Sequence, residues 1–350
     1  MKIRINAKNR TYSFEGQEKE SVLFSGLTNG IRLPYACGTG TCGTCKAKLV
    51  EGKIQEHWPE APGLKYLKPD QGEFLMCQCS PSTDISVELA NFVHPAEPGT
   101  CLPKSFVGVI RRAEHLTHDV MFLEVEPEKP QDFDAGQFVS IGVPGIQGKR
   151  AYSMVNFEPG AKKLEFVIKK KPGGGCTEWL FAPGNQVEGT ALEVIGPLGN
   201  ATFHPNTSKN NILCIAGGTG IAGMMSILAR GVRERHFEQY KGYVFFGVRT
   251  LKDTFFLHEL TRIKQAFPQS INIVVALSDE EVPSSAKSDY PELEFEHGLV
   301  HQVAARHMKD NYQNVKAYLA GPPPLVDAAI RTLIVEARLA PDNIVYDKFS

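Results

Sequence analysis

Hydrophobic and polar positions follow simple periods along the first ninety residues. Apolar side chains recur at every second position around Ile3 and again around Phe14, which predicts a β-hairpin. Ser21 precedes a run of apolar residues that ends at Leu27, a pattern typical of a short helix with a serine cap. Residues 85–89 alternate again, and we expect them to form a strand that closes this part of the chain.

The pattern changes at residues 94–103, which contain three prolines and show no periodicity. Such a segment is typical of a semi-rigid linker, and it predicts a domain boundary. From residue 104 to 205, short apolar segments alternate with turns that contain Gly and Pro, which indicates an antiparallel barrel. The predicted strands are Phe106–Ile110, Val120–Val125, Gln137–Ile141, Leu164–Ile168 and Ala191–Ile195.

Strand-like and helix-like segments alternate from Asn211 onward. This order predicts a doubly wound sheet of parallel strands with helices on both faces. The predicted strands lie at 212–216, 243–247, 271–277 and 317–320, and the predicted helices at 222–235, 255–267, 300–307 and 325–337. The predicted organisation therefore has four segments, namely 1–93, the linker 94–103, 104–205 and 206–350.

Length, charge and hydropathy exclude several classes of protein. With 350 residues the chain can form two or three domains with separate cores. Its 38 basic and 39 acidic side chains nearly balance, so we expect neither nucleic acid nor an anionic membrane as a partner. The longest apolar stretch, 211–229, is broken by glycines and predicts a strand, a loop and a helix rather than a membrane span. The start of the chain lacks an apolar secretion core, so we expect a soluble protein of the reducing cytoplasm.

Four cysteines have the spacing of an iron–sulfur site. Cys37, Cys42 and Cys45 follow a C-x4-C-x2-C pattern and Cys77 comes later, as in plant-type [2Fe–2S] proteins. The glycines between them let the backbone curl around a cluster. A zinc site usually has two C-x2-C pairs, and disulfides need an oxidising compartment, so these alternatives explain the spacing less well. The remaining cysteines are expected to be reduced, packed side chains: Cys79, Cys101, Cys176 and Cys214.

Two glycine-rich turns follow predicted strands in the last segment. Gly217–Gly220 come directly after an apolar strand and open a helix, an arrangement that suits a pyrophosphate at a helix N-terminus. The segment 320–324 supplies a second such turn after the strand that ends at Leu319. A glycine-rich turn alone is equally compatible with a tight connection, so position at the carboxyl ends of parallel strands is what favours a ligand site.

The barrel segment carries further anion-binding groups. Arg150, Tyr152 and Ser153 lie on one short strand, where alternation places Ser153 opposite the other two unless the strand is bulged. The lysine- and glycine-rich segment 169–177 leads into a predicted helix start, which again suits an anion. Taken alone, Arg150 is equally compatible with a surface salt bridge and the lysines with a solvated face.

The order of these motifs resembles that of the ferredoxin–NAD(P)H reductase superfamily. Within it, the chain is similar to the reductase components of multicomponent bacterial oxygenases, which begin with a plant-type ferredoxin domain. The resemblance covers essentially the whole chain. It implies a β-grasp ferredoxin domain that holds a [2Fe–2S] cluster, an antiparallel β-barrel that binds FAD, and a doubly wound domain that binds NADH, with NADPH possible.

The resemblance also implies roles for individual residues. Arg150 would bind the flavin pyrophosphate, Tyr152 would stack on the isoalloxazine, and Ser153 would hydrogen-bond near its reactive N5. Catalytic contacts would come from Ser153 and from Phe349, the terminal aromatic residue that covers the flavin until nicotinamide displaces it. Further cofactor contacts are implied for Gly174, Gly175, Thr177, Gly217, Gly218, Thr219, Gly220, Arg249, Asp253, Gly321 and Pro322, and metal ligation for Cys37, Cys42, Cys45 and Cys77.

Two positions depart from the family pattern. Ala320 stands where many relatives have a cysteine beside the nicotinamide, and 176–177 is Cys-Thr in place of the usual Phe-Ser. The choice between NADH and NADPH is expected to depend on the segment after the second strand of the last domain. Arg249 and Lys252 in this segment are cationic, but Asp253 would repel the 2′-phosphate of NADPH. We therefore expect NADH to be preferred.

The function that the resemblance implies is electron transfer to a partner oxygenase. Nicotinamide gives up two electrons as hydride and a [2Fe–2S] cluster accepts one, so a flavin is needed between them. The implied acceptor is a Rieske-type or di-iron oxygenase or hydroxylase component, or an intermediate electron carrier. Alternatives are a similar reductase of deoxysugar biosynthesis and a redox sensor without steady-state NADH consumption. Residues 1–93 carry 11 basic and 10 acidic side chains, a net charge of +1, so local patches and shape would select the partner.

Overall fold

The computed structural model describes residues 1–204 and 210–348. The first part of the chain is a mixed sheet with one helix packed on it. Its elements are β1 (Lys2–Asn6), β2 (Thr11–Glu15), α1 (Val22–Thr28), β3 (Lys46–Glu51), β4 (Ile54–Glu56), β5 (Glu73–Leu75), β6 (Cys79–Pro81) and β7 (Ile85–Glu88). The main sheet has the order β2-β1-β7-β3-β5, and β4 pairs with β6 in a separate ribbon. Within the main sheet β1 and β7 are parallel and the other neighbours are antiparallel.

Burial explains why the predicted hairpin and helix form. Ile3 and Ile5 are fully buried in the same core as Leu23 of α1. The Ser21 hydroxyl accepts a hydrogen bond from the Phe24 amide at 3.2 Å, so the predicted cap is present. The hairpin, the helix and the closing strand β7 are confirmed. Strand β3 has mostly exposed side chains and was not predicted from the sequence.

The predicted linker is anchored at its beginning. The Arg32 amide donates to the His94 carbonyl at 2.9 Å, and the Ala96 amide donates to the Gly30 carbonyl at 2.7 Å. These hydrogen bonds attach the first residues of the segment 94–103 to the end of α1. The remainder of the segment reaches the next strand without helix or strand structure.

The middle part of the chain is an antiparallel barrel. Its elements are β8 (Lys104–His115), β9 (Val120–Pro127), β10 (Phe138–Gly142), β11 (Arg150–Ser153), β12 (Leu164–Lys169), α2 (Gly175–Leu180) and β13 (Ala191–Leu198). The strand order is β11-β10-β13-β8-β9-β12, and all of these pairs are antiparallel. The Val155 amide just beyond β11 donates to the Glu165 carbonyl of β12 at 2.8 Å, which brings the two ends of the sheet together. The predicted barrel is confirmed.

The last part of the chain is a parallel sheet between two layers of helices. Its elements are β14 (Asn211–Gly217), α3 (Ile221–Arg233), β15 (Gly242–Val248), α4 (Leu257–Ala266), β16 (Ile271–Leu277), α5 (Ser284–Asp289), β17 (Glu294–His297), α6 (Val300–His307), β18 (Val315–Gly321), α7 (Pro323–Arg331) and β19 (Ile344–Lys348). The strand order is β17-β16-β15-β14-β18-β19. Residues of α3 and α4 pack on one face, and residues of α6 and α7 pack on the other. The predicted doubly wound sheet is confirmed.

Some boundaries of this sheet differ from the predictions. The predicted helix 325–337 corresponds to α7 and a π-helical turn that follows it, Thr332–Glu336. In this turn the backbone hydrogen bonds join residues five apart instead of four. Three further elements, α5, β17 and β19, are short and carry little apolar periodicity, and they were not predicted from the sequence. In the described part of the chain, no helix is long and apolar enough to cross a membrane.

The barrel and the parallel sheet share a core. Val120 and Phe122 of β9 belong to the same apolar cluster as Met224 and Ile227 of α3. Polar contacts reinforce this contact surface, since the Gly136 amide donates to a buried Ser226 hydroxyl at 2.8 Å and Arg230 donates to Asp134 at 3.0 Å. These two parts of the chain are therefore packed as one unit.

Candidate functional site

All three parts of the chain border one cavity of about 1230 Å³. A pocket for a single drug-sized ligand has a volume of about 300–1,000 Å³, so this cavity has room for more than one ligand. Its position also spans the reversal of strand order between β14 and β18, where ligands bind in sheets of this kind. Of the predicted contact residues, those on its wall are Cys37, Cys42, Arg150, Tyr152, Ser153, Gly174, Gly175, Thr177, Gly217, Gly218, Thr219, Arg249, Asp253, Gly321 and Pro322.

The four predicted cluster cysteines lie as two pairs of thiols. Cys45 Sγ is 3.2 Å from Cys77 Sγ. A hydrogen bond from the Cys42 thiol holds the pKa of Cys37 well below its usual value. Among residues 1–204 and 210–348, no three Cys, His, Asp or Glu side chains converge as ligands of a single ion. Two separate pairs suit two irons, each held by two thiolates, better than one zinc ion.

Backbone amides point at the outer pair of sulfurs. The Thr39 amide donates to Cys37 Sγ at 3.4 Å, and the Thr44 amide donates to Cys42 Sγ at 3.5 Å. Such donors stabilise thiolate charge and tune the potential of a cluster. The residues present therefore fit a [2Fe–2S] cluster. Cys79 lies in β6 and joins neither pair, and burial raises its pKa to about 12.

Strand β11 brings Arg150, Tyr152 and Ser153 to the cavity wall together. Alternation predicted Ser153 on the opposite side, but all four residues of β11, an edge strand of its sheet, border the cavity. Its pairing with β10 is regular, so no bulge is needed. Burial raises the pKa of Tyr152 well above its usual value, and its hydroxyl lies 3.5 Å from Cys176 Sγ. This tyrosine is therefore an uncharged aromatic surface on the wall.

The segment that leads into α2 forms a tight turn. The Thr177 hydroxyl accepts a hydrogen bond from the Lys171 amide at 3.1 Å and donates within the turn, where the Gly174 carbonyl lies 3.0 Å away. The resemblance implies a cofactor contact for Thr177, which borders the cavity, and its hydroxyl also holds the turn in shape. Gly174 and Gly175 border the cavity, where the first amides of α2 have no partner inside the helix.

The turn after β14 approaches the end of β18 closely. Gly217, Gly218 and Thr219 border the cavity, but Gly220 does not. A Cβ atom at Gly220 would lie 2.3 Å from the Ala320 carbonyl oxygen, so only glycine permits this contact between the two strand ends. The turn lies where the sequence analysis expected it, and Gly220 serves packing in this structure.

The segment after β15 places charge on the wall. Arg249 and Asp253 border the cavity, whereas Lys252 does not. The Asp253 carboxylate accepts hydrogen bonds from the Thr250 amide at 3.0 Å and from its hydroxyl at 2.7 Å. His118 of the barrel lies 3.7 Å from the other oxygen. Asp253 therefore both shapes the turn and contributes a carboxylate to the cavity.

The end of the chain reaches the same cavity through β19. Tyr346, Asp347 and Lys348 border it, and burial raises the pKa of Asp347 to about 7. Phe349, which the resemblance assigns to the flavin face, lies outside the described residues.

Two aromatic side chains on the wall were not singled out by the sequence analysis. The Tyr35 hydroxyl accepts a hydrogen bond from the Gly199 amide at 2.9 Å, and the Arg150 guanidinium lies 4.6 Å from the centre of the Trp58 ring. The only available signals were that Tyr35 lies two residues before a cluster cysteine and that the chain has just two tryptophans. Neither signal specifies a contact with another part of the chain.

Three family models match successive parts of the chain. They are described as "2Fe-2S iron-sulfur cluster binding domain" for residues 4–82, "Oxidoreductase FAD-binding domain" for 108–203, and "Oxidoreductase NAD-binding domain" for 214–331. The ferredoxin–NAD(P)(+) reductase CarAd of Metapseudomonas resinovorans is 34% identical over 336 residues, which is 94% of this chain and 94% of that protein. The chain belongs to the ferredoxin–NAD(P)H reductase family. The reductase therefore combines domains for a [2Fe–2S] cluster, FAD and a nicotinamide cofactor, and the predicted cofactor set is confirmed.

Two further comparisons support the whole-chain relationship. The xylene/toluene monooxygenase electron transfer component XylA of Pseudomonas putida is 30% identical over 348 residues, which is 99% of the reductase and 93% of that protein. A solved structure of the ferredoxin reductase in carbazole 1,9a-dioxygenase is 31% identical and matches with a TM-score of 0.80, covering 100% of this chain and 99% of that one. The predicted fold class, with its three successive domains, is therefore confirmed.

Proposed function

We propose that the reductase transfers electrons from NADH, through FAD and the [2Fe–2S] cluster, to the oxygenase or hydroxylase component of a multicomponent system. The observation that carries this proposal is one cavity whose wall includes the cysteine loop, strand β11 and both glycine-rich strand ends. Relatives that are named as reductase or electron transfer components support the same function. Bound FAD supplies the link between a two-electron hydride donor and a one-electron cluster.

In this proposal the barrel holds the flavin between the other two domains. Arg150 binds its pyrophosphate, with Gly174 and the first amide of α2, that of Gly175, beside it. Tyr152 lies along the ring system, and Ser153 hydrogen-bonds near N5. The position of all these groups on one wall supports the assignment. Ser153 is only 6% exposed, so this region of the wall is shielded from bulk water.

The nicotinamide cofactor is proposed to bind at the switch point of the parallel sheet. Gly217, Gly218 and Thr219 offer backbone amides to its pyrophosphate at the start of α3, and Gly321 and Pro322 border the nicotinamide half. The adenosine ribose then lies near Arg249 and Asp253. A carboxylate at that point disfavours a 2′-phosphate, which supports a preference for NADH.

The cluster is proposed to connect the cavity with the outer surface. Cys37 and Cys42 border the cavity, whereas Cys45 and Cys77 lie behind its wall. Tyr66 packs against the cluster loop at Gly43, does not border the cavity and is 54% exposed, so we call its side of the loop the outer side. We place docking of the terminal component, or of an intermediate electron carrier, on this side. We also propose a cytoplasmic location, which is supported by eight cysteines of which none is in a disulfide.

Steady-state kinetics with the cofactor-loaded protein tests this function. Parent protein should oxidise NADH continuously when cytochrome c is the acceptor. Cys42→Ser removes a proposed cluster ligand, so it should retain NADH-dependent reduction of ferricyanide and lose most reduction of cytochrome c. If the parent protein oxidised no NADH with either acceptor, the proposed function would be wrong and a redox-sensing role would be favoured.

A further inference from the structure

An aromatic side chain of the ferredoxin domain stacks on the arginine that faces the flavin cavity. Trp58 follows β4, and the Arg150 guanidinium lies 4.6 Å from the centre of its ring. Both side chains border the cavity. The adjoining His57 carbonyl accepts a hydrogen bond from the Gln147 side chain at 3.2 Å, so the same segment is also attached to the loop before β11.

The loop before β11 leaves room for this stack. Gly148 has φ +77°, and a Cβ atom there would lie 2.8 Å from both the Trp58 ring and the Arg150 guanidinium. A larger residue would therefore displace the two side chains. The backbone conformation and the absence of a side chain at this position both favour the stacked arrangement.

The stack leaves most of the Arg150 donors available. One guanidinium nitrogen donates to the Lys149 carbonyl at 3.0 Å. No carboxylate forms an ion pair with Arg150 within residues 1–204 and 210–348. A guanidinium held by its face on an aromatic ring keeps its edge N–H groups free for two parallel hydrogen bonds to a phosphate. Arg150 is therefore held in a position suited to an anion in the cavity.

We propose that Trp58 is a positioning residue for FAD and that the ferredoxin domain thereby completes the flavin pyrophosphate site. The inference rests on the proposed role of Arg150. Its consequence is reciprocal coupling, because a ferredoxin domain that improves FAD binding must itself be held more firmly when FAD is bound. Removing the aromatic face would leave Arg150 mobile and would weaken FAD binding without altering any group that touches the flavin ring.

The experiment measures the dissociation constant of FAD for the full-length chain by titrating the flavin-free protein and following flavin fluorescence. Trp58→Leu keeps an apolar side chain but removes the aromatic face, and we expect binding about 5- to 30-fold weaker. Trp58→Phe keeps an aromatic face and should bind within about threefold of the parent. Phe92→Ala is a matched control, since Phe92 is an aromatic residue of the ferredoxin domain that is 69% exposed and does not border the cavity. Retained [2Fe–2S] absorbance reports that each variant is folded.

A double-mutant cycle separates this inference from the proposed function. If Trp58 acts through Arg150, Trp58→Leu should change FAD affinity less than about twofold in an Arg150→Ala background. An additive loss would mean that Trp58 acts as general packing, and it would overturn the proposal. Parent-like FAD affinity in Trp58→Leu, with Arg150→Ala weakened, would overturn the proposal while leaving the flavin site assignment intact. Parent-like affinity in Arg150→Ala would instead contradict that assignment itself.

Discussion

The hydroxyl of Tyr35 accepts a 2.9 Å hydrogen bond from the backbone amide of Gly199. Tyr35 lies two residues before the cluster cysteine Cys37, and Gly199 directly follows the barrel strand β13. Both residues border the cavity. This hydrogen bond therefore joins the cluster loop directly to the barrel at the wall of the cavity.

Removing that hydrogen bond should slow electron transfer into the cluster. Tyr35→Phe leaves the Gly199 amide without its partner, at a cost of about 1–3 kcal/mol to the contact between the domains. We expect slower reduction of the cluster by NADH in stopped-flow measurements of its visible absorbance, with ferricyanide reduction unchanged. Tyr12→Phe serves as the control, since it removes a tyrosine hydrogen bond of the same domain, to the Val93 carbonyl, that does not border the cavity. Equal cluster reduction rates in Tyr35→Phe and the parent would show that the contact is not needed.

The fourth cluster ligand is predicted to be Cys77 rather than Cys79. Cys77 Sγ lies 3.2 Å from Cys45 Sγ, whereas Cys79 is buried separately in β6. Cys77→Ser should abolish the [2Fe–2S] absorbance because it removes a thiolate ligand, and Cys79→Ser should retain it. The opposite pattern in the two variants would reverse the assignment.

A fragment that starts near Pro103 should retain the hydride step. The barrel and the parallel sheet share an apolar core, so this part should fold without the ferredoxin domain. With excess FAD, the fragment should reduce ferricyanide with NADH at a rate near that of the whole chain but fail to support the partner oxygenase. Phe138 and Leu198, which pack against the ferredoxin core, become exposed in this fragment. Oxygenase turnover by the fragment would exclude the cluster as the exit for electrons.

Cofactor preference should depend on the charge of Asp253. Asp253→Asn keeps an oxygen that can accept the hydrogen bonds from Thr250 but removes the negative charge facing the cavity. The kcat/KM ratio of NADH to NADPH should exceed one in the parent and should fall about 5- to 50-fold in the variant, mostly through better use of NADPH. Asp253→Ser, which shortens the side chain, tests whether the turn itself matters. A parent ratio near one, or one that favours NADPH, would contradict the predicted preference.

Stability should depend on pH through Asp347. Burial raises its pKa to about 7, above an unfolded value near 3.9. Stability from the neutral form is complete below about pH 4 and is lost as pH rises to about 7, because the charged form is then partly desolvated at the cavity wall. Between pH 8 and pH 5 the parent should gain about 1–3 kcal/mol relative to Asp347→Asn. Thermal unfolding across this range provides the measurement, and identical pH dependence of the two proteins would refute the assignment.

The exact residues at which each domain begins and ends remain a prediction. The sheets lie within the segments 1–93, 104–205 and 206–350, but the limit at 205 falls outside the described residues. The beginning of the linker 94–103 is also bound to the end of α1. The number and order of the domains could be derived from the sequence because periodicity and proline content are local properties.

The sequence by itself determined the chemistry that this chain carries. Cluster spacing and glycine-rich turns depend on neighbours within one loop, so they are readable from short stretches of sequence. Only the tertiary structure decided which groups meet. The Trp58–Arg150 stack and the Tyr35–Gly199 hydrogen bond join residues of different domains, and such contacts leave no period or spacing in the sequence. The same holds for Gly220 and Thr177, whose packing and hydrogen bonds depend on how the folded loops approach each other.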